Sequence, residues 1–408
     1  MDSQNIIDLG STKTVCIIAD FQETGNPRVV GVGVSENRGV KRGTIVDLDA
    51  TAQSVVSAIR KAETMSDRKV TSVITSVSGD HITGATGKGI IPIVPPGRAI
   101  SREDVNRVIN HSKQVGLPPD RELIHAVPGH YRVDGQDGVV RPIGMSAERL
   151  EVSTHLVSGH SAHIQTLERC FDRAQVEIEG LVISQLASCM SVLDNRESEA
   201  GVAVLDIGGT HTEIAVMSGG ALLHTAIIPI GSTHISSDVS QLLKVSHEEA
   251  ERLKLTYGGC DVESVTDKET FQVAQVGVDK PRPFSRKVFT EIIDARCREL
   301  FTLARRNISE KSLLPALGSG YVLTGGGSKL PGLSQLLATM SGDAAVRVGK
   351  PAPLAGLGDM VSGEEFATAV GLVRYGMRAH EDEAVSAEEG NTKGIFSKLG
   401  SWLGAKNK

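Results

Sequence analysis

Cysteine is scarce and scattered in this chain of 408 residues. Cys16, Cys170, Cys189, Cys260 and Cys297 are odd in number and contain no C-x-x-C pair, which excludes a disulfide framework or a thiolate metal knuckle and fits a reducing cytoplasm. Positive charge is also short, because 43 Lys and Arg against 49 Asp and Glu leave a formal charge of −6. A nucleic-acid partner is therefore not expected, since phosphate contacts need a basic face. No apolar run reaches the roughly 18 residues of a membrane span. The start "MDSQNIIDLG" lacks the charged head and apolar core of a secretion signal. Any membrane contact is expected to be peripheral. Tryptophan is almost missing, and the single one, Trp402, falls in the final stretch "GIFSKLGSWLGAKNK".

What remains is ordinary globular material, 40% hydrophobic and 23% charged in 43.2 kDa, enough for two core-forming units. Alternating strand and helix patterns predict an α/β fold. The chain also repeats itself. "QNIIDLGSTKTVCIIA" at 4–19 is an apolar strand, a Gly/Ser/Thr turn and a second strand, and "GVAVLDIGGTHTEIAVMSGG" at 201–220 has the same plan. Setting Asp8 on Asp206 also sets Gly10 on Gly208, Thr12 on Thr210 and Thr14 on Thr212, so the identities fall in the turn. Each turn, Gly10-Ser11-Thr12-Lys13 and Gly208-Gly209-Thr210, can expose N–H and hydroxyl donors to an anion. Asp8 and Asp206 can then hold a hydrated divalent cation beside it.

A third glycine turn, "YVLTGGGSKLPGLSQLLATM", sets Gly325, Gly326, Gly327 and Ser328 at a strand end and is expected to open a helix, with Leu333, Leu336, Leu337 and Met340 at helical spacing. Between the turns, "GSTHISSDVSQLLKVSHEEAERLKLTYGG" starts at Gly231 and places Glu251 and Lys254 three apart on one helical face, where both can reach a ribose or base. The run "THLVSGHSAH" offers His155, His160 and His163, but no Cys lies near and the spacing crosses a strand, loop and helix start. These are read as loop and cap residues.

Two such turns half a chain apart, an E-x-x-K helix and a T-G-G-G strand end resemble the actin-like ATPase superfamily, in which a nucleotide sits between two related domains. Within it, "LIHAVPGHYRVDGQDGVVRPIGMSAERLEVSTHLV", "RGVKRGTIVDLDA", "SVITSVSGDHI" and "FATAVGLVRYG" are similar to the FtsA family. The resemblance implies the actin-like ATPase fold with an FtsA-type 1C subdomain. Subdomain 1A would take residues 1–81, 164–199 and 359–378, 1C 82–163, 2A 200–233 and 309–358, and 2B 234–308. It also implies ATP and Mg2+ as ligands, self-assembly into filaments on the cytoplasmic face of the bacterial inner membrane at the division septum, and recruitment of other division proteins. The FtsZ C-terminal peptide would dock on 2B, with Arg296 and Arg305 in "KVFTEIIDARCRELFTLARRNI" as candidate cations.

Two departures bear on chemistry. Thr210 and His211 make the second turn bulkier than the Gly and Thr usual in the family. Ser184-Gln185 stands where many relatives have Glu-Pro, and serine orients an attacking water poorly, so any hydrolysis is expected to be slow. The rival readings are a PilM-like pilus adaptor and a metabolite kinase of the same superfold.

The chain end completes the reading. "RAHEDEAVSAEEGNTKG" is acidic and small, which predicts a flexible linker over 379–392. Beyond it, over 393–408, Ile395, Phe396, Leu399, Trp402 and Leu403 form one apolar stripe, while Lys393, Lys398, Lys406 and Lys408 supply charge without a single acid. A basic amphipathic helix of this kind suits anionic lipid, which the FtsA resemblance also implies.

Overall fold

A computed structural model describes residues 3–21, 26–114, 116–278 and 280–388. The chain begins with β1 (Ser3–Leu9), β2 (Lys13–Asp20) and β3 (Arg28–Glu36), an antiparallel meander, then a short hairpin of β4 (Val40–Lys41) and β5 (Thr44–Ile45). Helix α1 (Leu48–Ser66) follows. Asp47 caps it by accepting from the Ala50 N–H at 3.0 Å, and Ala52, Val55, Ala58, Ile59 and Ala62 form its buried stripe. It lies so close to β3 that a Cβ at Gly33 would stand 1.9 Å from the Ala58 carbonyl oxygen. Strand β6 (Ser72–Val77) then joins β1 in parallel.

An inserted unit interrupts this half: β7 (Thr83–Pro92), α2 (Arg102–Ser112), β8 (Arg121–Val133), β9 (Gln136–Val139) and β10 (Arg149–His160), with strand order β7-β10-β8-β9. It has its own small core of Ile91, Ile93, Val108, Tyr131 and Leu150. The chain then returns through α3 (Ser161–Ala174), β11 (Glu177–Ile183), α4 (Ser184–Val192) and α5 (Asn195–Ala200).

The second half repeats the first. A meander of β12 (Val202–Ile207), β13 (Thr212–Ser218) and β14 (Ala221–Ile228) leads into α6 (Ser232–Leu243), α7 (His247–Tyr257), β15 (Thr270–Val273), β16 (Arg282–Ser285) and α8 (Arg286–Glu310). Strand β17 (Tyr321–Thr324), α9 (Leu333–Met340) and β18 (Val346–Val348) complete its sheet. The last elements, β19 (Ala355–Gly356) and α10 (Ala367–Glu388), cross back to the first half. The first sheet runs β11-β6-β1-β2-β3-β19 and the second β14-β13-β12-β17-β18. In both, the meander is extended in parallel from its first strand, by β6 in one and β17 in the other.

Two expectations need correction. Helix α10 runs on through Glu388, so residues 379–388 are not an unstructured linker. The Ala and Glu residues of 379–388 favour helix, and that stretch holds no Gly or Pro. The triple glycine does not open an α-helix either. It enters a 3-10 turn over Gly326–Lys329, and α9 starts only at Leu333, because Pro331 and the left-handed Gly332, with φ of 82°, separate the two. The tail residues Ile395, Phe396, Lys398, Leu399, Trp402, Leu403 and Lys406 lie outside the described residues.

Candidate functional site

The two repeated turns, one from each half, are brought together. In the first, the Gly10 N–H bonds the Lys13 carbonyl at 3.0 Å, and the buried Asn37 side chain donates to the Gly10 carbonyl at 2.9 Å. In the second, the Gly208 N–H bonds the His211 carbonyl at 3.0 Å, and the Ser232 and Thr233 N–H groups bond the Gly208 and Gly209 carbonyls at 2.9 and 2.8 Å. The turns touch. Thr210 Oγ1 lies 2.8 Å from Ser11 Oγ, and a Cβ on Gly209 would stand 2.5 Å from Thr12 Cγ2. Gly231 caps α6 directly behind, leaving no room for a side chain, since its Cβ would meet the Gly209 carbonyl at 2.5 Å.

Asp8 and Asp206 flank these turns at matching strand positions. Ser76 donates to Asp8 at 2.9 Å, and Ser188 to Asp206 at 2.5 Å. Burial pushes the Asp8 carboxyl up to about 6, against the opposing pull of Ser76. It also raises Asp206, with the neighbouring Glu213 charge adding to it. Carboxylates held this way gain from a cation. Lys13, whose amine is lowered mainly by burial, lies 3.9 Å from the Phe366 ring centre.

The third turn lies against the second Asp. Gly325, with φ of 79°, brings its backbone so near Asp206 that a Cβ would stand 2.2 Å from Oδ1. Ser328 donates to the Gly325 carbonyl at 2.7 Å, Gly327 packs on Ile207, and a Cβ on Gly326 would meet only the Glu365 Cβ, at 3.6 Å. Glu251 and Lys254 pair at 2.8 Å, and Lys254 also donates to the Ser232 carbonyl at 3.1 Å, which ties α7 to the base of the second turn. Among the described residues no group of three or more His, Cys, Asp or Glu side chains could hold a metal alone. Two buried carboxylates of raised pKa, one at each turn, are instead the hard oxygen donors that suit Mg2+, which keeps waters of its own.

Other expected positions behave differently. The Ser184 hydroxyl bonds the Val77 carbonyl at 3.4 Å, while the buried Gln185 carries an unpartnered Oε1. Arg296 is paired within the fold, whereas Arg305 meets a carbonyl and no acid among the described residues. Asp238 grips Arg296 at 2.6 and 2.7 Å with Glu299 alongside, and Arg305 donates to the Met340 carbonyl. His155 is neither a loop nor a cap residue but a buried member of β10, 3.0 Å from Thr225 Oγ1. Sequence reasoning missed Asn37, Ser76, Ser78, Ser188, Glu213 and Thr368 at the cleft. Only "SVITSVSGDHI" hinted at the two serines.

Two sheets of one strand order, each offering a glycine turn with an Asp at its strand end to a shared cleft, define the actin-like ATPase fold. Structural neighbours agree: a PilM–PilN type IV pilus biogenesis complex aligns with a TM-score of 0.62 at 17% identity over 92% of this chain and 98% of that one. MreB5 of Spiroplasma citri bound to ADP aligns with a TM-score of 0.56 at 10% identity over 96% and 99%. Sequence narrows the class. The family model "Cell division protein FtsA" matches residues 203–371, and "SHS2 domain inserted in FTSA" matches 79–158. The FtsA of Pseudomonas aeruginosa is 34% identical over 92% of this chain and 89% of its own length, and that of Neisseria meningitidis 34% over 98% and 97%. The Escherichia coli K12 protein is 31% identical over 97% and 94%. The chain belongs to the FtsA family of cell-division proteins.

Proposed function

We propose that this protein binds Mg-ATP between its two halves, polymerises on the cytoplasmic face of the inner membrane at the septum, tethers FtsZ filaments there and recruits further division proteins. The observation that carries the reading is the convergence of the two repeated turns, Asp8, Asp206 and Gly325–Ser328 on one cleft. Gly10, Ser11, Thr12, Lys13, Gly208, Gly209 and Thr210 would hold the phosphates. Gly326, Glu251 and Lys254 would line the nucleoside, and Asp8 and Asp206 the Mg2+. Bound ATP would supply the negative charge that the donors of both turns would hold, and with Ser184 at the water position turnover would be slow.

The insert would be subdomain 1C, and residues 234–308 the 2B face that receives the FtsZ C-terminal peptide. Arg305, which meets no acid among the described residues, would be the better of the two candidate cations for that peptide, and Arg296 would first have to release Asp238. No helix among the described residues is long and apolar enough to cross a membrane. Attachment falls to the basic amphipathic tail, whose single copies bind reversibly and whose polymers bind firmly through many tails together. Electron microscopy of the full chain on anionic lipid monolayers tests the reading: ATP-dependent filaments that capture FtsZ are expected, and a bare monolayer with ATP and FtsZ present contradicts it.

A further inference from the structure

Residues 78–84 run from the second turn to the inserted sheet; Ser78 is bonded to the second half, and Gly84 packs against it beside the His155–Thr225 bond. At the cleft end, Ser78 Oγ lies 2.9 Å from His211 Nε2 and donates to Glu213 Oε1. Both partners are buried, Glu213 in β13 and His211 just before it. His211 is the residue that departs from the usual threonine. At the insert end, a Cβ on Gly84 would stand 2.5 Å from the His155 ring and 2.9 Å from Thr225 Oγ1, so β7, β10 and β14 meet in close contact. His155 and Thr225 bond across that seam at 3.0 Å, and His130 of β8 reaches the Gly219 carbonyl at 2.6 Å.

The middle is clamped as well. Arg121 donates to the His81 carbonyl at 2.7 Å, to Thr83 Oγ1 at 2.6 Å and to the Ser158 carbonyl at 2.8 Å. The His81 ring stacks on His163 at 4.6 Å, and a Cβ on Gly43 would stand 2.4 Å from Gly79 Cα. A segment this short, held at each end by the β13–β14 hairpin and gripped between, has no slack. The first half cannot turn away from the second without breaking one end or turning the insert with it.

We propose that residues 78–84 are a strut coupling opening of the cleft to the orientation of the inserted sheet. The coupling to nucleotide rests on the cleft reading above. Such coupling is reciprocal, so a change at either end is felt at the other by the same factor. The cleft state is thereby reported to the inserted sheet.

The test uses the full chain, with hydrogen exchange of β7 and β10 and the Kd for Mg-ATP as readouts. Ser78→Ala, at the cleft end, is expected to speed exchange in β7 and β10 threefold or more without nucleotide. His211→Thr carries the same expectation should Ser78→Ala fold poorly. Thr225→Val, which touches none of the phosphate turns, is expected to change the Mg-ATP Kd threefold or more. Gln136→Ala, on the exposed far strand of the insert, should leave both readouts at wild-type values. Wild-type exchange in β7 and β10 of both cleft-end variants overturns the strut whatever ATP does. A wild-type Kd in Thr225→Val overturns its coupling to nucleotide, whereas failure of the wild-type protein to bind Mg-ATP overturns the cleft reading itself.

Discussion

The imidazole of His125 sits buried where the insert meets the first half, and its Nε2 accepts the Ile183 N–H at 3.2 Å. Burial pushes this group down to about 4. Below an unfolded value of about 6.5 the unfolded chain takes up a proton that the folded one refuses, so stability is full above that pH and is lost as pH falls toward 4. One such residue costs roughly 2 kcal/mol between about pH 7 and pH 5. Denaturant midpoints across that range should fall accordingly, and His125→Asn should flatten the fall; a pH-independent midpoint counts against a neutral buried imidazole. At this scale the two Asp residues and their glycines were legible because the chain states them twice. Asn37, Ser76, Ser188 and Thr368 were not, since their role arises only when distant segments meet. Arg296 was legible as a cation but not as a spent one, because Asp238 lies on another helix.

Elements followed their local signals where the signals were complete. Helix α2 has Ser101 as its cap with Asp104 answering it, and Arg98 beside Asp104 holds that carboxyl far below the usual range. Ser101→Ala should lower stability by about 1 kcal/mol, measured by chemical denaturation, and no change would deny the cap. The contact of α1 with β3 is stricter: Gly33→Ala forces a methyl onto the Ala58 carbonyl and should cost about 1–3 kcal/mol or more by overpacking. A neutral outcome would mean that α1 shifts freely. The end of α10 escaped a composition argument because acidic, alanine-rich sequence serves both linker and helix. The α9 start was misplaced because a glycine run marks a turn but leaves the next element's first residue to Pro331 and Gly332.

The whole molecule was legible through its repeat, since two copies of one strand-turn-strand pattern require two copies of one sheet around a shared cleft. Topology alone does not separate FtsA from a pilus adaptor, as the PilM likeness shows; the sequence relatives and the SHS2-type insert do. The tail adds a test of its own. Anionic vesicles should shift Trp402 emission to the blue, high salt should weaken the shift, and Trp402→Glu should abolish vesicle co-sedimentation. Emission already blue and indifferent to lipid would place the tail on the protein body instead.

The central claim is that Mg-ATP lies between the halves, against Gly326 and beside Asp206. A Cβ on Gly326 would meet only the Glu365 Cβ, at an ordinary 3.6 Å, so Gly326→Asp disturbs little of the fold while placing a carboxylate where the nucleoside would lie. Calorimetric titration of the folded wild-type and Gly326→Asp proteins with Mg-ATP is the most direct measurement. Saturable one-site binding that weakens at least tenfold in the variant is predicted, and equal affinity in the two would contradict the cleft assignment.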